Sequence, residues 1–339
     1  MNQLALLGYD LFGEPVNPEP SCIVAKKFII PPFSVLDARS GEWQDRKRAW
    51  IRLGIQGEVG RKKDLTYTGA ASTYDHYRIK EKEKLGRKEG LTYMKAESAP
   101  DYWKDKMGDS WTSKDTGTSI FDPTLCECIY RWFTSPNAQI IDPFAGGSVR
   151  GIVAGMLGRR YWGCDLRGEQ INANNNQADF IKPEIRPKWV CGDAIKKLEE
   201  APEADLVFSC PPYGDLEKYS DNPSDLSNME WHTFSAAYSR IILRSIKKLK
   251  NNRFACFVVG DFRDKKGFYR DFVSKTIESF RTVGSQLYNE AILITPVGSA
   301  SMRITKQFNS GRKFAKTHQN VLVFCKGDWR KAVADCKDF

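Results

Sequence analysis

Short apolar runs alternate along the chain with stretches whose apolar residues recur at helical spacing, the pattern of strand–helix repeats around a buried sheet. Ala138-Gln139-Ile140-Ile141 reads as a first strand, and Val149–Leu157 as the helix after it. Arg160–Asp165 and Trp189-Val190-Cys191 repeat the strand pattern, with a helix running through Gln170–Asn174 between them. Ala204–Phe208 predicts a fully buried fourth strand and Phe254–Val259 a fifth, joined by a helix from Phe234 to Lys250. A helix over Phe268–Phe280, a strand over Leu287–Thr295 and a closing strand over Gln319–Gly327 complete the series. Ahead of it, Leu125, Cys126, Ile129, Tyr130 and Phe133 share one helix face.

The first third of the chain lacks this order. Residues 1–25 read as an arm with turns at Gly13-Glu14-Pro15 and Pro18-Glu19-Pro20. Phe28–Asp37 is an extended apolar piece broken by Pro31 and Pro32, and Trp43–Trp50 predicts a short basic helix with aromatic faces. Its Arg46, Lys47 and Arg48 suit either phosphate contacts or a solvated face. Residues 55–115 interleave Tyr67, Tyr74, Tyr77 and Tyr93 with bases, which suits nucleic-acid contact or a locally ordered insertion. Lys306–Lys316 reads as a basic loop.

Composition narrows the picture. The 339 residues allow one large α/β domain and an appendage. Lysine and arginine number 52 against 42 acids, and the net charge of +10 suits a polyanionic partner. The nine cysteines are scattered and form no zinc quartet, and with three histidines no metal site is expected. Thiols of this kind point to a reducing cytoplasm. No run is long and apolar enough to span a membrane, and MNQLALLGYDLFGEP is a poor signal peptide.

Two strand ends carry the candidate chemistry. After Ala204–Phe208 come Ser209-Cys210-Pro211-Pro212-Tyr213-Gly214. The prolines end the strand because neither has a backbone donor. They leave a stiff turn that presents the Cys210 thiol and the flat ring of Tyr213, a setting suited to a planar base. Some seventy residues earlier, Asp142-Pro143-Phe144-Ala145-Gly146-Gly147 gives a strand, an acidic tip and a glycine turn before a helix. The glycines let backbone approach a ligand, and the helix start favours an anion. Asp165 ends the next strand, about where ribose hydroxyls are accepted in nucleotide-binding folds. Asp193 follows the third strand and suits a helix cap as well as a ligand contact.

Together these two motifs resemble those of class I S-adenosylmethionine-dependent methyltransferases, specifically DNA methyltransferases that modify exocyclic amines. The segment through Gly54 also looks like the N-terminal part of phage and prophage DNA methylases. The resemblance implies a Rossmann-like seven-stranded sheet with helices on both faces over residues 110–330, behind a polar, basic extension over 1–109 that is a possible DNA-contacting region. It implies S-adenosylmethionine as cofactor. Thr118 and Ser119 would lie by its methionine end, Asp142, Pro143, Phe144, Gly146 and Gly147 along the glycine loop, Asp165 at the ribose and Asp193 at the adenine amine. It implies double-stranded DNA as substrate, with N4 of cytosine or N6 of adenine methylated on a flipped base. Tyr213 would stack, the Pro211 carbonyl would accept from the amine, and Cys210 and Pro212 complete the loop.

Cys210 departs from that family, where an aspartate, asparagine or serine precedes the prolines. A thiol is a weak acceptor. Either Ser209 and the backbone accept in its place, or the thiolate attacks a cytosine ring for C5 methylation. An RNA or protein methyltransferase on the same fold, a non-catalytic DNA-binding relic and a dinucleotide oxidoreductase are the other readings.

Overall fold

A computed structural model describes residues 23–55, 121–214, 220, 222–297 and 300–336. Contacts divide the chain into two units, one of residues 1–61, 120–297 and 315–339, the other of 62–119 and 298–314.

In the first unit α1 (Ile23–Phe28), β1 (Val35–Asp37) and α2 (Gly41–Arg52) precede α3 (Pro123–Phe133). The chain then alternates β2 (Gln139–Asp142), α4 (Val149–Met156), β3 (Arg160–Asp165), α5 (Gly168–Ile181), β4 (Lys188–Cys191), α6 (Ala194–Lys197) and β5 (Ala204–Ser209). It continues through α7 (Trp231–Lys248), β6 (Leu249–Val259), α8 (Phe272–Thr282) and β7 (Ser285–Ile294). The second unit contributes α9 (Ala300–Gly311), and the first resumes with β8 (His318–Lys326) and α10 (Trp329–Ala334). Among the described residues no helix is long and apolar enough to cross a membrane.

One sheet has the order β1-β7-β8-β6-β5-β2-β3-β4. Only β8 runs against the rest, pairing antiparallel with β6 and β7. The order reverses between β2 and β5, so the loops leaving these neighbours diverge at the sheet's carboxyl edge. That is the usual ligand crevice of an open α/β sheet. The period-two alternation of each strand builds a core on both faces. Ile140, Leu206, Phe208 and Phe254 pack on one side with Trp43, Trp50 and Tyr130. Ile141, Val207, Phe257 and Phe324 pack on the other with Phe234, Tyr238, Phe272 and Phe280. Each such side chain contributes about 1.5–3 kcal/mol by leaving water. Beyond β7 the chain departs and returns at the same edge, where Thr295 N donates to Thr317 O at 2.9 Å.

The alternating α/β fold with helices on both faces is as expected, but the sheet has eight strands rather than seven. The eighth is β1, from the segment expected to be an extension. The 109/110 boundary therefore does not divide the described fold: Leu36, Trp43, Trp50 and Ile55 belong to the sheet's own core. Three cations of α2, Arg46, Lys47 and Arg48, are also spoken for. Both oxygens of buried Glu127 accept from Arg46, and Trp50 Nε1 donates to Oε2 at 2.8 Å. Lys47 pairs with Asp122 at 3.1 Å and Arg48 with Asp45. The sequence left phosphate contacts and a solvated face open for this triplet; Arg46 and Lys47 instead pair inward, and Arg48 sits in an exposed pair. Burial alone would raise the pKa of Glu127, but Arg46, Arg131 and the Trp50 donor overrule it and hold it low.

Other boundaries move for local reasons. The helix expected from Phe268 starts at Phe272, because Arg270 N bonds back to Phe262 O and Asp271 turns left-handed at φ 53°. The expected basic loop is partly helix α9, whose Ile304 and Phe308 sit at i, i+4 spacing. Residue Arg312, at φ 51°, follows its end. The short α10 was not foreseen; Asp328 caps it by accepting from Arg330 N at 2.8 Å.

Candidate active site

Asp142 ends β2 wholly buried. Phe144 N (3.1 Å) and the Ser209 hydroxyl donate to its Oδ1, while Arg150 Nε (2.6 Å) and Tyr161 OH (2.7 Å) donate to Oδ2. A carboxylate has about four acceptor sites, and all four are used. No acceptor site of Asp142 is left for a ligand's ammonium. The residue instead ties together the glycine loop, α4, β3 and the end of β5.

The glycine loop is fixed from both sides. Arg150 Nη2 donates to Phe144 O (2.6 Å) and Ala145 O (3.0 Å). Ala145 N donates to Cys164 O at 2.9 Å. Gly146 has φ +49°, a conformation that favours glycine; its N–H reaches Asp165 Oδ2 at 3.1 Å and its carbonyl accepts from Asn174 Nδ2 at 2.8 Å. Pro143 is buried, and Phe144 and Gly147 are half-buried. The Phe144 ring lies 6.1 Å from that of Tyr238.

Asp165, at the tip of β3, keeps 17 % of its side chain exposed. It accepts from Arg167 N at 2.9 Å as well as from Gly146 N. Burial pushes its pKa up against these donors. The next strand brings Asp193 near, since Gly192 N donates to Asp165 O at 2.9 Å. Asp193 Oδ1 caps α6 by accepting from Ile195 N at 2.9 Å, the structural role left open by the sequence. Thr118 and Ser119 lie outside the described residues.

The Pro-Pro-Tyr loop leaves β5 beside this. Ser209 is buried with its hydroxyl donated to Asp142, Cys210 is half-exposed, Pro211 is buried and Pro212 is half-buried. Tyr213 is held by three elements. Its hydroxyl accepts from Gln319 Nε2 at 2.6 Å, and its ring meets Phe262 and Phe272 edge-on at centroid distances of 6.4 and 6.2 Å. Gly214 follows at φ +53°, where a Cβ would come within 2.8 Å of Phe262 Cζ. The sequence reading missed Arg150, Tyr161, Gln319, Phe262 and Phe272. Only Arg150 gave a signal, as the one charge in the apolar helix VRGIVAGM.

No protein-family model matches the chain. A stretch of 57 residues, 17 % of the chain, is 40 % identical to the type II methyltransferase M1.MboII of Moraxella bovis and spans one fifth (20 %) of that protein's length. Solved structures with similarity include TrmN from Thermus thermophilus (13 % identity, TM-score 0.42, 61 % of this chain and 49 % of that one). Another is the magnesium protoporphyrin IX methyltransferase of Synechocystis PCC 6803 with bound SAM (11 %, 0.41, 67 % and 90 %). A third is a putative RNA methyltransferase from Pyrococcus horikoshii (14 %, 0.39, 61 % and 83 %). At such low identity and TM-score these structural likenesses do not bear on the choice of substrate.

Proposed function

We propose that the chain is an S-adenosylmethionine-dependent DNA methyltransferase that modifies the exocyclic amine of a cytosine or adenine. The observation that carries this reading is the meeting of the glycine loop and the Pro-Pro-Tyr loop at the switch point of the sheet, joined through Asp142 and Ser209. The partial match to M1.MboII and the net charge of +10 support DNA as substrate.

The residues fit the cofactor. Gly146 brings backbone close to the crevice, and Asp165, with part of its carboxylate exposed, is suited to ribose hydroxyls. The second oxygen of Asp193 is suited to an amine donor. When bound, the cofactor supplies an electrophilic methyl group. The chain's own work is to align the acceptor and strip it of water. Tyr213, fixed at both ring edge and hydroxyl, offers a stacking face for a base taken out of the duplex. The Pro211 carbonyl, on a backbone stiffened by two prolines, accepts from the amine and draws its lone pair out of conjugation. Cys210 adds little as an acceptor. Ser209 is wholly buried with its hydroxyl turned to Asp142, so accepting falls to the backbone.

One observation favours a second reading, C5 methylation. Cys210 is a thiol outside any disulfide, left half-exposed at the head of the Pro-Pro-Tyr loop, where a ring stacked on Tyr213 would meet it. Nucleoside mass spectrometry on DNA from cells expressing the wild type and Cys210→Ala separates the two. N4-methylcytosine or N6-methyladenine that persists in the variant supports amino methylation. 5-Methylcytosine that disappears in the variant makes Cys210 the nucleophile. Methylation of RNA alone would overturn DNA as the substrate.

A further inference from the structure

Arg150 is a charged side chain in a place that needs explaining. Its side chain is only 6 % exposed, in the first turn of α4, where the glycine loop ends. Three bonds fix it: Nε to Asp142 Oδ2, and Nη2 to the carbonyls of Phe144 and Ala145. The Phe121 ring covers one face, with Cζ 4.5 Å from its centroid. Burial opposes its charge, but the Asp142 carboxylate more than offsets this and keeps the guanidinium protonated. Nη1 takes no part in these bonds among the described residues.

A guanidinium has five donors in a planar fork. Here the Nε–Nη2 side serves the fold, and Nη1 is the nitrogen these bonds leave over. Because the group is already immobilised, a bond from Nη1 to an anion costs little ordering entropy. The positive end of α4 adds to the same field. Asp142 cannot receive the cofactor's ammonium, since its acceptor sites are full. The charge offered to an amino-acid end at this loop is therefore positive.

We infer that Arg150 binds the methionine carboxylate of the cofactor through Nη1, so that this chain recognises the amino-acid end of S-adenosylmethionine with a buried cation from α4. The inference rests on the cofactor assigned above. It gives the lone arginine of an apolar helix a ligand as well as a structural partner, and it places a charge check on the cofactor at the loop coupled to the catalytic strand.

The test compares S-adenosylmethionine with decarboxylated S-adenosylmethionine by titration calorimetry on the full chain. Wild type should bind the carboxylated form about 10- to 100-fold more tightly, the range of a hydrogen bond to a charged group. Arg150→Met should erase that preference by weakening S-adenosylmethionine alone, and Arg150→Lys should restore part of it. A variant that weakens both ligands equally, or a wild type with no preference, would overturn the inference. Arg150→Met leaves Asp142 unpaired, so if it fails to fold, the double variant Asp142→Asn/Arg150→Met carries the same expectation. Wild type that binds neither ligand would instead bring down the cofactor assignment itself.

Discussion

Asp142 and Asp165 end adjacent parallel strands at the same edge of the same sheet, and Asp142 pairs in register with Gly163, just short of the tip of β3. The two aspartates look alike in sequence and differ in what surrounds them. Asp142 is fully buried, with four donors from its own protein and an arginine at 2.6 Å. Asp165 has two backbone donors and an exposed fraction. A strand-tip carboxylate is thus a fastening when the fold fills its acceptor sites, and open to a ligand when the fold leaves some of them unfilled. Position alone does not decide between these; the neighbours that arrive from other elements do.

The largest effect expected from this contrast is on stability. Asp142→Ala strands a buried guanidinium and should cost about 3–5 kcal/mol in denaturant unfolding. A loss below about 1 kcal/mol, the scale of an exposed ion pair, would remove the distinction. Asp165→Asn should behave oppositely. Burial raises its folded pKa, so its proton-linked contribution to stability is full below the ordinary carboxylate range and is lost as pH rises through the folded value. At neutral pH the asparagine variant is spared that penalty but turns its amide NH2 toward one of the two N–H donors, so its stability should stay within about 1 kcal/mol of wild type. It should bind cofactor about 10- to 100-fold more weakly by calorimetry, because a charged acceptor for hydroxyls is gone. Equal binding by wild type and variant would move the ribose contact elsewhere.

The Pro-Pro-Tyr loop extends the comparison. Gly214→Ala meets both a left-handed backbone and the Phe262 ring, and should cost about 1–3 kcal/mol of stability or of methyl transfer. A fully active and stable variant would show that the turn relaxes. Tyr213→Phe keeps the ring and loses the Gln319 bond, and should cost about 0.5–1.5 kcal/mol. If Gln319→Ala left DNA affinity and transfer rate unchanged, the bond would have no part in presenting the ring. The smallest effect concerns Glu127. Its folded pKa lies below the ordinary glutamate range, so the stability it adds is present above that range and is lost as pH falls through the folded value. The gap between wild type and Glu127→Gln, followed by thermal melting, should be widest near neutrality and close in acid.

Much of the sheet was legible because buried strands and amphipathic helices have different periods. Ile140, Val207 and Phe257 announce their strands without reference to anything distant. Pro211 and Pro212 mark a strand end by their chemistry alone. The role of Asp142 was not legible, because its donors Phe144, Arg150, Tyr161 and Ser209 sit on four separate segments. Arg46 looked like a phosphate contact or a solvated cation because its partner, Glu127, lies 81 residues away. The clamp on Tyr213 escaped notice for the same reason: Gln319 is 106 residues further on. β1 was missed as a strand because its three residues, Val35–Asp37, sit behind two prolines and pair only with β7.

The neck at Thr295 and Thr317 has an engineering consequence. Because β8 runs antiparallel to β7, the excursion between them begins and ends at one point on the ligand edge, closed by a backbone hydrogen bond. A loop with adjoining ends can be lengthened, shortened or exchanged at small entropic cost, while the strands below keep their register. The chain thus carries a natural cassette site close to Gln319, at which new surface can be grafted without rebuilding the sheet.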